Sequence, residues 1–349
     1  MKIARPRFVR STSALSKLLA KQLQGRRYIL LTDENVAEAC MPMLGDFLAH
    51  HAPLDVIEVE AGELCKSSEV CMQLWSHFLE LEVAKSDVLV CLGGGSVTDL
   101  GGFVAATFKR GIPVIFIPTT LLAMTDAAIG GKNGIDFEEI KNAIGVISQP
   151  EAVIVFPDFC DTLSSRQWFS GMAEVVKHGV IARGDFWEEL KAVSFESHKV
   201  PLKLLQQSVL VKHAIVREDP FEKSRRMELN FGHTIGHAIE STYMQKGNLI
   251  EHGLAVVMGM IVEIRLAVNV KFLSPNEADE ITVLLYSWFG NLLPTFPQFD
   301  EIRSFLYHDK KVESKKNVLF LPSSSGEMKK LVLASQGELE NAYNQSIKV

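Results

Sequence analysis

The histidines carry the strongest local signal in this chain. In Gly232-His233-Thr234-Ile235-Gly236-His237-Ala238-Ile239-Glu240 two imidazoles stand four residues apart, on one face of a helix. That spacing can hold a metal ion. A third histidine, His252, lies in Glu251-His252-Gly253 just before the next helix-like run. Glu174, in Gly171-Met172-Ala173-Glu174-Val175-Val176-Lys177, offers a carboxylate. Two imidazoles and one carboxylate suit Zn²⁺ with one coordination position left open. A His-x-x-x-His pair also serves as a hydrogen-bonded core feature, and Glu174 with Lys177, three apart, also fits a plain ion pair on a helix.

A second cluster is built from glycine. Gly93-Gly94-Gly95-Ser96-Val97-Thr98-Asp99-Leu100-Gly101-Gly102 follows an apolar run, and missing side chains there let backbone N–H groups approach a pyrophosphate at a helix start. It departs from G-x-G-x-x-G because Thr98 stands where the third glycine belongs. Gly130-Gly131-Lys132-Asn133-Gly134 and Lys141-Asn142 set lysine near glycine, which suits a phosphate oxygen, although single lysines are usually solvated surface groups. Lys212, Arg226 and Asn230 precede the histidine helix, where a solvated basic face is the simpler reading of spacing alone.

These groups need a scaffold, and the two halves of the chain supply different ones. Short β-branched runs at Tyr28–Leu31, Val56–Val59, Val88–Leu92, Val114–Ile117 and Ala152–Phe156 alternate with helix-like segments, the rhythm of an α/β domain with a mostly parallel sheet. The run ending at Gly93 is apolar on both faces, as a central parallel strand is, and ligands favour such carboxyl ends. From about Ser164 the pattern changes to long amphipathic segments, Arg166–Ala182, Leu202–Ile215, Arg225–Ser241 and Leu254–Val270, which predict an all-α second domain. Pro150 and Pro157 bracket the last strand, giving domains at 1–157 and 158–349.

Composition narrows the function. With 349 residues, 47% of them hydrophobic, two cores are affordable; a net charge of -6 speaks against a nucleic-acid surface. The five cysteines, Cys40, Cys65, Cys71, Cys91 and Cys160, never occur as C-x-x-C, which argues against disulfides or a zinc finger and for a reducing compartment. The N-terminus lacks the apolar stretch of a signal peptide, and the longest apolar runs are short for a bilayer, so a soluble, cytoplasmic protein without membrane partners is expected.

Taken together these segments resemble the dehydroquinate synthase family of sugar phosphate cyclases, from about Thr32 to Lys311. The matching motifs run in family order: Gly62-Glu63 with Lys66, Gly93 to Asp99, Lys109-Arg110-Gly111, Pro118 to Ala123, Asp126, Gly130-Gly131-Lys132, Lys141-Asn142, Glu174 to Lys177, Asn230 to His237, and His252-Gly253. The resemblance implies an N-terminal NAD-binding domain, a C-terminal helical domain that bears zinc or cobalt, and an active site in the cleft between them. NAD would be held by Asp33, Glu63, Lys66, the loop with Gly94, Gly95, Ser96 and Asp99, Thr119, Thr120, Lys132, Lys141, and the segment with Phe159, Thr162 and Leu163. The metal ligands would be Glu174, His233 and His252, leaving His237 near the substrate phosphate, where helical spacing alone pairs it with His233.

The implied substrate is a phosphorylated sugar acid, 3-deoxy-arabino-heptulosonate 7-phosphate. Asp126 and Lys177 would lie near its ring hydroxyls, Lys212 and Arg226 at its carboxylate, and Lys132, Asn142, Asn230, His237 and Lys310 around its phosphate. Arg110 would arrive from a second subunit of a homodimer. The implied steps are oxidation at C5, β-elimination of phosphate, re-reduction, ring opening and aldol closure, with NAD regenerated in each turnover. The chain departs from the family at Leu254, where Glu is usual, at His178 for tyrosine, and at Gln167 for an acidic residue. Related cyclases making deoxy-scyllo-inosose or valiolone skeletons, whose substrates have no carboxylate, commonly lose the equivalents of Arg226 and Asn230, both present here. A metal-dependent alcohol dehydrogenase of the glycerol dehydrogenase type needs no such cluster of cations, and a non-catalytic nucleotide-binding scaffold needs no Glu174, Lys177, His233 and His252 together.

Overall fold

Three runs without a polar residue at most positions become the buried centre of a sheet. In the computed structural model, which describes residues 3–138, 140–195, 198–307, 318–333 and 336–347, the chain divides into two compact units, Met1–Ser164 and Ser165–Val349. The division falls after Ser164, so the short 3₁₀ turn Pro157–Thr162 belongs with the first unit.

The strands of the first unit are β1 (Arg7–Phe8), β2 (Tyr28–Asp33), β3 (Val56–Val59), β4 (Val88–Gly93), β5 (Val114–Pro118), β6 (Lys132–Phe137), β7 (Ile140–Ile147) and β8 (Ala152–Val155). Its helices are α1 (Thr12–Leu23), α2 (Glu34–Ala39), α3 (Gly45–His50), α4 (Ser68–Glu80) and α5 (Gly95–Thr107). Six strands form one sheet in the order β1-β8-β5-β4-β2-β3, every pairing parallel, while β6 and β7 make a separate antiparallel hairpin. Strands β2, β4 and β5 are buried at every residue, which is why their sequences do not alternate.

The step from β3 back past β2 to β4 reverses the direction in which strands are added, so a crevice opens at the carboxyl ends of β2 and β4. Helix α5 starts directly from β4 and lies close against it. A Cβ on Gly101 would sit 2.2 Å from the Cys91 sulfur. Close helix–strand packing, the usual task of the third fingerprint glycine, therefore falls to Gly101, three residues beyond Thr98.

In the second unit α6 (Ser165–Ala182), α7 (Gly184–Lys191), α8 (Leu202–Glu218), α9 (His233–Gln245), α10 (His252–Asn269), α11 (Pro275–Phe289), α12 (Phe299–Tyr307) and α13 (Gln336–Ser346) are joined by one antiparallel hairpin, β9 (Val318–Pro322) and β10 (Met328–Val332). Helix α10 is packed by α6, α9, α11 and α13. It is long and apolar enough to cross a membrane, but 78% of it is buried in the protein, and a helix surrounded on most sides has little polar face to keep. The continuous helix expected over Arg225–Ser241 breaks in two: a 3₁₀ turn, Arg225–Asn230, and then α9. Gly232 sits between them at φ 78°, a left-handed conformation that ends the first turn and re-aims the second.

Candidate active site

In the first unit the residues assigned to NAD gather at strand ends. Asp33 closes β2 and caps α2, accepting the Val36 N–H at 3.0 Å. Gly94 is the N-cap of α5, with Gly95 and Ser96 in its first turn. Thr119 and Thr120 follow β5; the Thr119 N–H donates to the Gly93 carbonyl at 2.9 Å, tying the two loops, and Thr120 Oγ1 accepts the Ala123 N–H. The Thr119 hydroxyl is buried without a hydrogen bond, a polar atom still to be matched. Phe159 is buried in the turn after β8, where Thr162 donates to its carbonyl, and Leu163 follows.

Lys66 is the electrostatic centre of this unit. Its ammonium, only 3% exposed, lies 3.1 Å from Asp99, 3.3 Å from Glu63 and 3.9 Å from Asp136, and donates to the Asn142 side chain at 2.6 Å. Burial alone would lower its pKa, but the carboxylates of Asp99, Glu63 and Asp136 outweigh it and hold the group charged. Ser96 reaches Glu63 at 3.5 Å. Glu63, Lys66, Ser96, Asp99 and Asn142 are thus brought together. Lys132, Lys141 and Asn142 lie exposed on the β6–β7 hairpin, and Asp126 lies in the π-helical turn Ala123–Ala127. Arg110 is exposed at the end of a 3₁₀ turn, with φ 64° beside Lys109 at φ 49°, two adjacent left-handed residues that no glycine relieves.

The second unit collects the proposed ligands. The rings of His233, His237 and His252 lie 5.2–5.5 Å apart between centroids, and their nearest donor atoms all fall within 4.8 Å of one another. Glu174, wholly buried on α6, places Oε1 3.6 Å from His233 Nε2. Lys177 on the same helix is equally buried and forms an ion pair with Glu174, so the surface-pair alternative does not hold. His178 is buried too, its Nδ1 2.8 Å from Ser208 of α8. Leu254, where the family has Glu, is core.

The donor set fits a divalent metal. Both oxygens of Glu174 are shielded from solvent; Oε2 is ion-paired with Lys177, and Oε1 faces His233 at 3.6 Å without a hydrogen bond. Lys177 supplies a compensating charge at Oε2, and a cation between Oε1 and the imidazoles would match the oxygen that has no hydrogen bond. Two further contacts orient the imidazoles: His233 Nδ1 lies 3.2 Å from the Phe231 carbonyl, and His252 Nδ1 lies 3.3 Å from Glu240. Such partners fix which nitrogen carries the proton and leave the other as ligand.

In the same unit Lys212 of α8 and Arg226 of the Arg225–Asn230 turn are buried, at 6% and 2% exposure. Asp219 holds the Arg226 turn by accepting the backbone N–H groups of Lys223, Ser224 and Arg226, and the Arg226 guanidinium donates to the Pro220 carbonyl at 2.7 Å. Asn230 donates to Glu222 at 2.9 Å. Lys310 lies outside the described residues. Asp219, Glu222, Glu240 and Glu263 were not singled out from the sequence; only the Asp-Pro pair at 219–220 marks a turn there, and the others act through partners distant in the chain.

Comparison with known proteins bears on the family and the fold. A family model described as 3-dehydroquinate synthase N-terminal matches residues 56–170, and one described as 3-dehydroquinate synthase C-terminal matches residues 171–312. The 3-dehydroquinate synthase of Parabacteroides distasonis is 37% identical over 304 residues, 86% of this chain and 85% of that one. That of Chlamydia caviae is 35% identical over 308 residues, 83% and 80% of the two chains. Among solved structures, 2-epi-5-epi-valiolone synthase from Streptomyces hygroscopicus, with NAD⁺ and Zn²⁺ bound, matches at TM-score 0.87 and 25% identity over 100% of this chain and 98% of that one. A 2-deoxy-scyllo-inosose synthase matches at TM-score 0.83 and 23% identity over 99% of each chain, which shows a shared fold alone. By its sequence over both units, the chain belongs to the 3-dehydroquinate synthase family.

Proposed function

We infer that this chain converts 3-deoxy-D-arabino-heptulosonate 7-phosphate to 3-dehydroquinate and phosphate, a step of the shikimate pathway to aromatic amino acids, using NAD and a divalent metal, zinc or cobalt. The observation that carries this reading is the pair of buried cations, Lys212 and Arg226, in the unit that also holds Glu174, His233 and His252. A sugar phosphate without a carboxylate offers one anionic group and a simple alcohol none, whereas a phosphorylated sugar acid offers a carboxylate as well as a phosphate for separate sets of cations.

When bound, NAD supplies a reversible hydride acceptor and the metal a Lewis acid. The chain's residues supply recognition and proton control. Arg226 and Lys212 hold the carboxylate; Asn230 and His237, with Lys132, Asn142 and Lys310, hold the phosphate. Lys177 and Asp126 serve the ring hydroxyls, and burial of Lys177 beside Glu174 sets its ammonium close to the ligand set. Asp33, Glu63, Lys66 and the Gly94–Asp99 loop serve NAD, with Lys66 supplying the one buried positive charge among three carboxylates. The five cysteines, all unpaired, support a reducing, cytoplasmic setting.

Arg226→Ala removes charge-assisted hydrogen bonds of about 2 kcal/mol, roughly 30-fold in kcat/KM for the sugar acid, while leaving NAD affinity unchanged. Steady-state kinetics with both ligands varied checks this; equal loss for NAD would refute a carboxylate role. We further assign a homodimer in which Arg110 completes the neighbouring site, a role that its strained, exposed backbone supports. Arg110→Ala should then lose turnover by roughly 100-fold with NAD affinity and sedimentation unchanged; undiminished turnover would remove Arg110 from the site.

The reaction itself is tested by incubating the metal-loaded protein with NAD and 3-deoxy-D-arabino-heptulosonate 7-phosphate while following phosphate, dehydroquinate and nicotinamide absorbance. Equal phosphate and dehydroquinate without net NADH is the expected result. Phosphate released only from sedoheptulose 7-phosphate or glucose 6-phosphate would reassign the substrate, and NADH accumulating from a simple alcohol would mean a dehydrogenase.

A further inference from the structure

Glu263 lies in the middle of α10, fully buried, on the helix that begins at His252. Its Oε2 accepts the backbone N–H of Gly232 at 2.9 Å. That N–H belongs to the planar peptide whose carbonyl is Phe231 O, and Phe231 O is the partner of His233 Nδ1 at 3.2 Å. One rigid peptide therefore has Glu263 on its N–H side and the His233 imidazole on its carbonyl side. In the tautomer that protonates Nδ1, the remaining nitrogen, Nε2, is the one directed at Glu174.

We propose that Glu263 is a positioning residue for the metal centre, acting on His233 through the Phe231–Gly232 peptide. This rests on the reading of His233 as a metal ligand. A hydrogen-bonded peptide cannot rotate without breaking both contacts, so the plane of the imidazole and the identity of its ligand nitrogen are set by a carboxyl on another helix. A hydrogen bond at the peptide N–H also polarises the carbonyl, strengthening its hold on Nδ1–H and raising the donor strength of Nε2. Packing alone cannot explain the choice of residue, since an aliphatic side chain would fill the same core position without stranding a carboxyl there. Burial pushes the Glu263 carboxyl up to about 8 against the opposing N–H groups of Gly232 and Ile235. A neutral acceptor is therefore already tolerated, and glutamine is a conservative replacement.

The test compares Glu263→Gln, which keeps an acceptor at the same reach, with Glu263→Met, which has none, and Glu263→Asp, whose carboxyl is withdrawn by one methylene. Zinc affinity is read by competition with a chromogenic chelator, and ligand geometry by the visible absorption of the cobalt-loaded protein. Met and Asp should each weaken zinc binding roughly 10–100-fold and alter the cobalt spectrum, while Gln stays within about threefold of the parent. If Met does not fold, Asp against Gln makes the same comparison. Parent-like zinc affinity in Asp, or Gln as weak as Asp, would overturn the proposal. A His252→Ala control separates the two ideas: if it keeps its metal, the ligand reading fails; if it loses metal while Asp does not, only the role of Glu263 falls.

Discussion

His252→Ala should leave the purified protein nearly metal-free and lower kcat by at least roughly 100-fold. Loss of a mere orienting partner typically costs 10–100-fold in metal affinity, so loss of a direct ligand must cost more. The informative comparison is with His237→Ala. In a tetrahedral zinc site the donor atoms stand roughly 3.4 Å apart, and the donors of His233, His237 and His252 already fall within 4.8 Å of one another. Geometry alone therefore admits three imidazoles. Glu174 tips the choice, because its carboxylate is wholly buried and, while Oε2 is paired with Lys177, Oε1 lies 3.6 Å from His233 Nε2 without a hydrogen bond, a position a shared metal ion would satisfy. His237→Ala should thus retain metal and lose substrate affinity, whereas Glu174→Gln and His252→Ala lose metal. Metal content by atomic emission after desalting decides it. Full metal in His252→Ala, or loss in His237→Ala with retention in Glu174→Gln, would replace the assigned ligands by the three histidines.

The parts of this site that were legible in the sequence are those whose chemistry is local. Val88–Leu92 reads as a strand because an apolar run closed by three glycines has few other uses, and the structure makes it β4. The His233–His237 spacing is visible because a helix brings residues four apart onto one face. What stayed hidden depends on other elements. The helix expected over Arg225–Ser241 breaks at Phe231–Gly232 because Gly232 is pressed onto α10, where a Cβ would lie 2.8 Å from the Val256 carbonyl, and no helical pattern encodes that neighbour. The burial of Lys177 and Glu174 was likewise unreadable, since an i,i+3 pair looks the same on a surface as in a core. Glu240 and Glu263 earn their roles only through partners 12 and 31 residues away.

Gly259→Ala should destabilise the second unit by roughly 3 kcal/mol or more, about 10 °C in Tm, and weaken metal binding with it. On helix propensity alone this change should stabilise by about 1 kcal/mol, so the expected sign is reversed by packing. An added Cβ would stand 1.9 Å from the Gly232 carbonyl oxygen and 2.8 Å from the Gly236 nitrogen, backbone atoms that have no rotamer to yield. Relief requires α9 to move off α10, and these are the helices that carry His233 and His252. Gly253, at the start of α10, makes the same kind of contact with α6, 2.0 Å from the Ser170 carbonyl, on the helix that carries Glu174. All three ligand helices are thus held at backbone contact, and their separation sets the ligand geometry. Gly45→Ala, where nothing lies within 4 Å, is the matched control and should leave Tm and metal affinity unchanged or slightly raised. Calorimetry of the metal-loaded variants measures the first effect and chelator competition the second. Parent-like stability in Gly259→Ala would mean that the helices are free to slide, and that the close glycine contact has no part in holding the metal.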